Sequence, residues 1–499
     1  MTAVHTPGAP VVDKNVLAST NPATGAEVGR FPVATTGDIA AAVARARQAG
    51  RWWAELGYTG RRTRLLRWRA LIAQRITEIA ELSHREGGKP VAEAIIEAVS
   101  AVEQTDWAAR NAKRVLGRRR RRSRLVLAEF SAHLEYQPYG VVGVIGPWNY
   151  PVLTPLGSIA YALAAGNAVV QKPSEYTPAV GQWLVDTFAE VVPEQPVLQV
   201  VHGLGDVGAA LCRSGVDKIA FTGSTATAKK VMAACAESLT PVLVECGGKD
   251  AMIVDVDADL DAAAEACVWG ALTNAGQTCI GIERVYAVEP VYDAFVAKVA
   301  ERAGRLTVGE EGDIGPITMP TQVEVIRRHI DDAVTRGGRA VLGGPDAVQP
   351  PYVHPTILVD VPEDAAAMQQ ETFGPTLVIN RVHDADEAVA RANAVPYGLG
   401  GSVFGRRRAV ALARQLRTGM AAVNSVMSFA GMSTLPFGGV GDSGFGRIHG
   451  DDGLREFARA KAITRRRAPS LMPAMTFERT PAQVERIVRT VQLIYGRKR

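Results

Sequence analysis

Cys279 closes the polar stretch Asn274-Ala275-Gly276-Gln277-Thr278-Cys279 and lies between Gly276 and Gly281. A thiol attacks a carbonyl carbon well when it is deprotonated or has a base beside it. Flanking glycines let the backbone come close to a substrate. Glu245 precedes Cys279 by 34 positions, follows the apolar stretch 241–244 and leads into Gly247-Gly248-Lys249. A partly desolvated carboxylate at a strand end has a raised pKa and can act as a base near neutrality. An ion pair with Lys249 is the competing reading. Asn149, in Gly146-Pro147-Trp148-Asn149-Tyr150-Pro151, can donate its amide N–H to an oxyanion, helped by the backbone N–H of Cys279. Together these groups suit a thioester that is made on sulfur and then broken. Cys212, Cys235 and Cys267 sit in helical apolar patterns and read as core.

Such groups need a scaffold. Strand-like runs at 141–145, 167–171, 197–201 and 217–221 alternate with helical stretches at 153–165, 177–191 and 206–213. This alternation predicts an α/β fold, a parallel sheet with helices on both faces. A second alternation follows Gly248, with strands at 251–254, 284–288, 357–359 and 377–381 and helices such as 291–305 and 322–337. A domain boundary is therefore expected near Gly247-Gly248. Upstream, residues from about 38 to 114 are helical in pattern, with Leu65, Ile72, Ile76 and Ile79 in register, and Gly87-Gly88 then Lys89-Pro90 stops the first helix. Residues 125–137 alternate like a hairpin strand.

The chain has 499 residues, 47% hydrophobic and 21% charged, an ordinary globular balance with room for two or three domains. The net charge of +5 is too small to argue for nucleic acid. Five scattered cysteines without a CxxC pair suit a reducing compartment. The eight histidines show no ligand spacing, so no metal is expected. Neither a secretory signal nor a spanning helix is visible, and the cytoplasm is the default.

Dinucleotide signals are weak one by one. Gly203-Leu204-Gly205-Asp206-Val207-Gly208 matches GxGxxG but follows the third strand rather than the first. Glu175, with Lys172 three residues before it, ends the second strand, where an acid can hold both adenosine-ribose hydroxyls and repel a 2′-phosphate. A surface Lys–Glu turn fits the spacing equally. In Phe221-Thr222-Gly223-Ser224-Thr225 a strand runs into a helix whose free N–H groups suit a pyrophosphate. Simple capping by Ser224 is the alternative.

Taken together, the motifs PWNYP (147–151), KPSE (172–175), FTGST (221–225), ECGGK (245–249), NAGQTC (274–279), ETFGP (371–375) and PFGG with SGFGR (436–439, 443–447) resemble the NAD(P)-dependent aldehyde dehydrogenase superfamily, of the hydrolytic, CoA-independent type, over residues 20–465. The resemblance implies an aldehyde dehydrogenase fold. Its parts would be a Rossmann-like cofactor domain (1–119 and 139–247), an α/β catalytic domain (248–445), a small β oligomerisation hairpin (120–138 and 446–466) and a basic amphipathic tail (467–499). It implies that Cys279 attacks the aldehyde, that Asn149 holds the oxyanion and that Glu245 activates water. It assigns Glu371 and Phe373 to the nicotinamide half of NAD, and Lys172 and Glu175 to the adenosine ribose. Ile145, Trp148, Gly205, Gly223 and Ser224 then lie along the cofactor, with NADP less favoured. Three departures are Cys246 where Leu is usual, Ala228 for a frequent Gly and Asp442 for a common Lys. Cys246 raises the hypothesis of a Cys246–Cys279 disulfide.

By the same resemblance Tyr150, Leu153, Gly157, Ile280, Phe429 and Phe437 line the substrate tunnel. That lining is apolar, and neither Gly157 nor Thr273 offers the arginine often found in succinate-semialdehyde enzymes. An aromatic or medium- to long-chain aldehyde is expected. The alternatives are a succinate-semialdehyde enzyme, a CoA-acylating relative and a non-catalytic membrane-docking homologue. Glu245 counts against the CoA type, and the intact trio against lost activity. The partners implied are a small aldehyde and a second copy, as homodimer or homotetramer. Arg118–Arg122 reads as a solvated loop before the hairpin. The tail puts Val484, Ile487, Val488, Val491, Ile494 and Tyr495 on one helical face with arginines around it. Packing within an oligomer is favoured over contact with a membrane surface.

Overall fold

The structure, a computed structural model, describes residues 10–13, 15–123, 127–469 and 475–496. Two parallel-rich sheets carry the molecule. The first runs in the order Gly444–Phe445, Val242–Cys246, Lys218–Gly223, Val141–Ile145, Ala168–Lys172, Leu198–Val200. All its pairs are parallel except the edge pair between Val242–Cys246 and Gly444–Phe445. The strand order reverses between Val141–Ile145 and Lys218–Gly223, and an open α/β sheet leaves its ligand crevice at the carboxyl ends of such a pair. The apolar runs read from sequence are fully buried here because helices cover both faces.

The second sheet has seven strands, in the order Arg339–Leu342, Thr356–Val359, Thr376–Val382, Ile282–Val288, Asp250–Val254, Gly401–Phe404, Ala422–Val423. The chain crosses from the first sheet to the second at Gly247-Gly248. Gly401–Phe404 and Ala422–Val423, too short to alternate clearly, went unread in the sequence. A third, three-stranded sheet pairs Ala458–Arg466 with Phe130–Pro138 and that with Arg119–Arg121.

Several expectations are corrected. The helical stretch expected to run on to Gly87 is three helices, Thr36–Glu55, Gly57–Gln74 and Ile76–Gly87. Breaks at Leu56 and Arg75 escape periodicity because the apolar phase survives them. Arg119–Arg121 is a strand, not a loop, since its backbone pairs with residues 132–134. Of the expected strand 125–137 only the part from Phe130 is strand: residues 127–129 form a turn, and residues 124–126 lie outside the described residues. In the tail, Thr480 caps the helix Pro481–Tyr495, which has no buried residue. Arg497, Lys498 and Arg499 lie outside the described residues.

Two buried acids tie the helical layer to the first sheet. Glu97 accepts the backbone N–H of Val152 (2.8 Å) and Leu153 (2.9 Å) at the start of helix Leu153–Ala165, and pairs with buried Lys89. Glu86 accepts those of Ala179 and Val180, both at 2.9 Å, at the start of Pro178–Val191. Each places negative charge on free N–H groups at the positive end of a helix dipole. Lys89 Nζ also stands 3.7 Å from the centre of the Tyr150 ring, so this clamp fixes the turn that carries Asn149. Glu97→Ala would leave Lys89 buried and unpaired. Urea unfolding should show a loss of about 3–5 kcal/mol.

Candidate active site

The carboxyl end of strand Val242–Cys246 meets the amino ends of Asp250–Val254 and Ile282–Val288, and Cys279 lies in the turn before the latter. That turn is strained. Asn274 (φ 53°), Ala275 (φ 55°) and Gly276 (φ 70°) are left-handed in succession, which costs a non-glycine residue roughly 1–2 kcal/mol each. Side chains hold it in place. Asn274 Nδ2 donates to the carbonyls of Asn149 (3.1 Å) and Gln277 (3.2 Å). Gln277 Nε2 donates to the Asn274 carbonyl (3.0 Å), and its Oε1 accepts from Thr318 N–H (2.9 Å). Glu93 accepts the Asn274 N–H at 2.6 Å. A Cβ on Gly276 would collide with the Gly374 carbonyl. Asn274 and Gln277 thus work as staples, a role their spacing alone did not disclose.

Glu245 is 3% exposed, and burial pushes its carboxyl up to about 7. The Cys279 thiol and the Thr222 side chain face it and partly offset that rise, while Oε1 has no hydrogen-bond partner among the described residues. Lys249 is not that partner. It is buried, pairs with Glu283 and donates to Thr372 Oγ1 at 3.2 Å. Glu283 in turn accepts Phe373 N–H at 2.9 Å. Burial, then the charges of Glu245, Glu371 and Asp250, raise the Cys279 thiol well above its usual range. The sulfur is therefore protonated at neutral pH and needs a base as it attacks. Asn149 spends one amide N–H on the Gln277 carbonyl (2.9 Å) and retains a second donor.

Cys246 follows Glu245 on the same strand, where successive side chains point to opposite faces. Its thiol is hydrogen-bonded to Thr225, and burial pushes it up to about 12. With Glu245 facing Cys279, Cys246 faces away, which argues against the disulfide hypothesis.

Cys279 and Glu245 share a cavity of about 280 Å³ with Tyr150, Leu153, Ile280 and Phe437. Two expected tunnel residues are placed elsewhere. Phe429 turns against Gly400, whose Cβ would meet its ring at 2.8 Å, and neighbours such as Met427 and Ala430 form that wall. Gly157 opens no space, because His449 fills it: a Cβ there would lie 2.9 Å from His449 Nε2. Among the described residues, no Lys or Arg lines this cavity.

On the other side of Cys279 lies the crevice at the switch point. Ile145 ends the central strand there, and Trp148 meets Phe373 edge-on at 5.5 Å. Ser224 caps helix Thr225–Ala236 after Gly223. Glu371 Oε1 accepts Gly248 N–H at 3.1 Å. Lys172 Nζ and Glu175 Oε2 are 3.1 Å apart, with the Glu175 side chain 29% exposed. Gly205 begins helix Gly205–Arg213 with open space where a side chain would stand. An aromatic wall, a free helix N-terminus and an acid at the second strand's end fit a dinucleotide. Among the described residues no cluster of His, Cys, Asp or Glu could hold a metal.

The buried carboxyl makes a prediction. Glu245 has a folded pKa above its unfolded value of 4.5, so the fold favours the neutral form. The stability it contributes is present below 4.5 and is lost as pH rises through about 7. Glu245→Gln should raise Tm at pH 8, by up to about 3 kcal/mol of stability, and have less effect at pH 5.

The aldehyde dehydrogenase family model matches residues 11–463. A 4,4'-diapolycopene aldehyde oxidase of Methylomonas sp. is 36% identical over 448 residues, covering 89% of this chain and 84% of that one. A glutarate-semialdehyde dehydrogenase of Pseudomonas putida is 36% identical over 456 residues, covering 89% and 93%. The NADP-dependent glyceraldehyde-3-phosphate dehydrogenase of Bacillus halodurans superposes with a TM-score of 0.86 at 32% identity, covering 91% of this chain and 96% of that one. The chain belongs to the aldehyde dehydrogenase family.

Proposed function

We propose that the enzyme oxidises an apolar aldehyde, aromatic or medium- to long-chain, to its acid with NAD. The observation that carries this is the Cys279 thiol and the buried Glu245 carboxyl, with pKa near 7, together in the wall of one largely apolar cavity. As sulfur adds to the carbonyl carbon, its proton passes to Glu245. The second amide N–H of Asn149 and the Cys279 N–H donate to the new oxyanion. Trp148 and Phe373 would hold the nicotinamide, which when bound would supply the acceptor for the hydride. What remains on Cys279 is a thioester. Glu245, once it has released that proton to solvent, takes a proton from water as the water oxygen adds to the acyl carbon, and returns it to the sulfur, which leaves as thiol with the acid released.

The cavity lining bears on the substrate. A carboxylate at the far end of a semialdehyde needs a cation, and the neighbouring cavity's Arg302 and Arg305 are engaged with Asp261 (3.1 Å) and Glu301 respectively. The relative named for diapolycopene aldehyde fits an apolar substrate, whereas the glutarate-semialdehyde relative points the other way. Glu175 supports NAD, since its carboxylate would face a 2′-phosphate. The three-stranded sheet and the exposed tail helix are read as contact surfaces for a second copy.

Cys279→Ala should abolish NADH formation. Glu245→Gln, which removes the base for both steps, should slow the first burst of NADH as well as steady turnover. Wild-type acyl hydrolysis should climb with pH and level off above about 7, since the base form does the work. Benzaldehyde and octanal should exceed succinate semialdehyde in kcat/KM; the reverse order would overturn the substrate reading. For the cofactor, Glu175→Gln should shift the NADP/NAD ratio of kcat/KM about tenfold toward NADP, a change of about 1.4 kcal/mol.

A further inference from the structure

His449 forms part of the wall of the cavity that holds Cys279. It is 2% exposed, and neither ring nitrogen has a hydrogen-bond partner among the described residues. Its ring stands 5.5 Å from Phe437 and 6.0 Å from Tyr161, over the space left by Gly157. Its backbone is left-handed, at φ 61° and ψ 164°, a conformation that disfavours any side chain. Burial holds the imidazole down at about 3, so near neutral pH it is uncharged, with one donor and one acceptor. A buried polar ring without partners destabilises a fold. Phenylalanine or leucine would fill the same volume without that cost. An orphaned imidazole kept beside a reacting thiol, in a strained backbone, has its missing partner in what enters the cavity.

We propose that His449 is a specificity-determining residue that selects, among apolar aldehydes, those carrying a neutral oxygen function, a hydroxyl or a carbonyl, away from the reacting group. The inference rests on reading this cavity as the aldehyde's tunnel. Turning the ring about its Cβ–Cγ bond brings a nitrogen to the substrate. An uncharged imidazole bonds a hydroxyl equally as donor or acceptor and gives a carboxylate no counter-charge. A site built to bond a hydroxyl discriminates strongly against the analogue that lacks it.

The test is kcat/KM for benzaldehyde and its ring-hydroxylated isomers, and for octanal and its terminally hydroxylated form, with wild type, His449→Phe and His449→Gln. In the wild type at least one hydroxylated aldehyde should exceed its parent about tenfold. The ratio should fall to near one in His449→Phe and recover in part in His449→Gln. Parents oxidised with equal ratios in wild type and His449→Phe would overturn the role of His449 alone. Succinate semialdehyde oxidised while every parent is refused would overturn the tunnel's substrate reading as well. Should the variants not fold, nitrogen NMR of wild-type His449 decides: its ring resonances should move with a hydroxylated benzyl alcohol and not with benzyl alcohol, and movement with neither refutes the proposal.

Discussion

Everything at the centre of this molecule follows from an excess of buried acid over buried base. Buried Glu245, Asp250 and Glu283 and half-buried Glu371 converge on the seam between the sheets; of the two buried cations beside them, Lys249 is committed to Glu283 and Arg284 bonds the carbonyls of Lys249 and Ala392. Ionising one acid is opposed by burial and by its neighbours. Glu245 and Asp250 both come to about 7. The same field keeps Cys279 protonated, so its thiol and the Glu245 carboxyl are coupled in how they hold their protons. A site of this kind needs a rigid surround, because relaxation toward water would return both groups to ordinary behaviour.

That rigidity comes from hydrogen bonds to backbone rather than from packing alone. Gly276 cannot carry a side chain against Gly374, and Asn274 and Gln277 lock the turn to Asn149 and Thr318. Glu97 and Lys89 then fix the turn of Asn149 from the helical layer. The Asn149 amide and the Cys279 sulfur are thus positioned by one continuous network that runs from helix Val91–Leu116 to the cysteine turn. Preorganised donors keep their orientation as charge develops, which is where their catalytic value lies.

The sequence discloses this unevenly. Buried parallel strands are continuous apolar runs, so the first sheet could be read almost strand by strand. Strands of two to four residues at the second sheet's margin leave no such signal. Cys279, Glu245 and Asn149 stood out because polar residues interrupt apolar or glycine-rich stretches at element ends. The partner of Lys249 did not, since Glu283 comes 34 residues later and is brought close only by the pairing of Asp250–Val254 with Ile282–Val288. Spacing within one turn favoured Glu245, and the geometry of two strands decided otherwise.

The tunnel illustrates a different limit. Reading Gly157 as an opening treats a position as independent of its neighbours, yet a volume vacated by one residue is filled by another in a packed interior. Here the filler is His449, nearly 300 positions away in sequence, on a backbone that glycine would adopt more readily. Phe429 is displaced for a related reason: with no side chain at Gly400, its ring can settle against the strand that follows, and the cavity wall passes to Met427 and Ala430. The shape of the cavity is therefore set by exchanges between pairs of positions. Substrate preference inherits that property, so residues that could be identified one by one sufficed for the chemistry at sulfur and not for the pocket that feeds it.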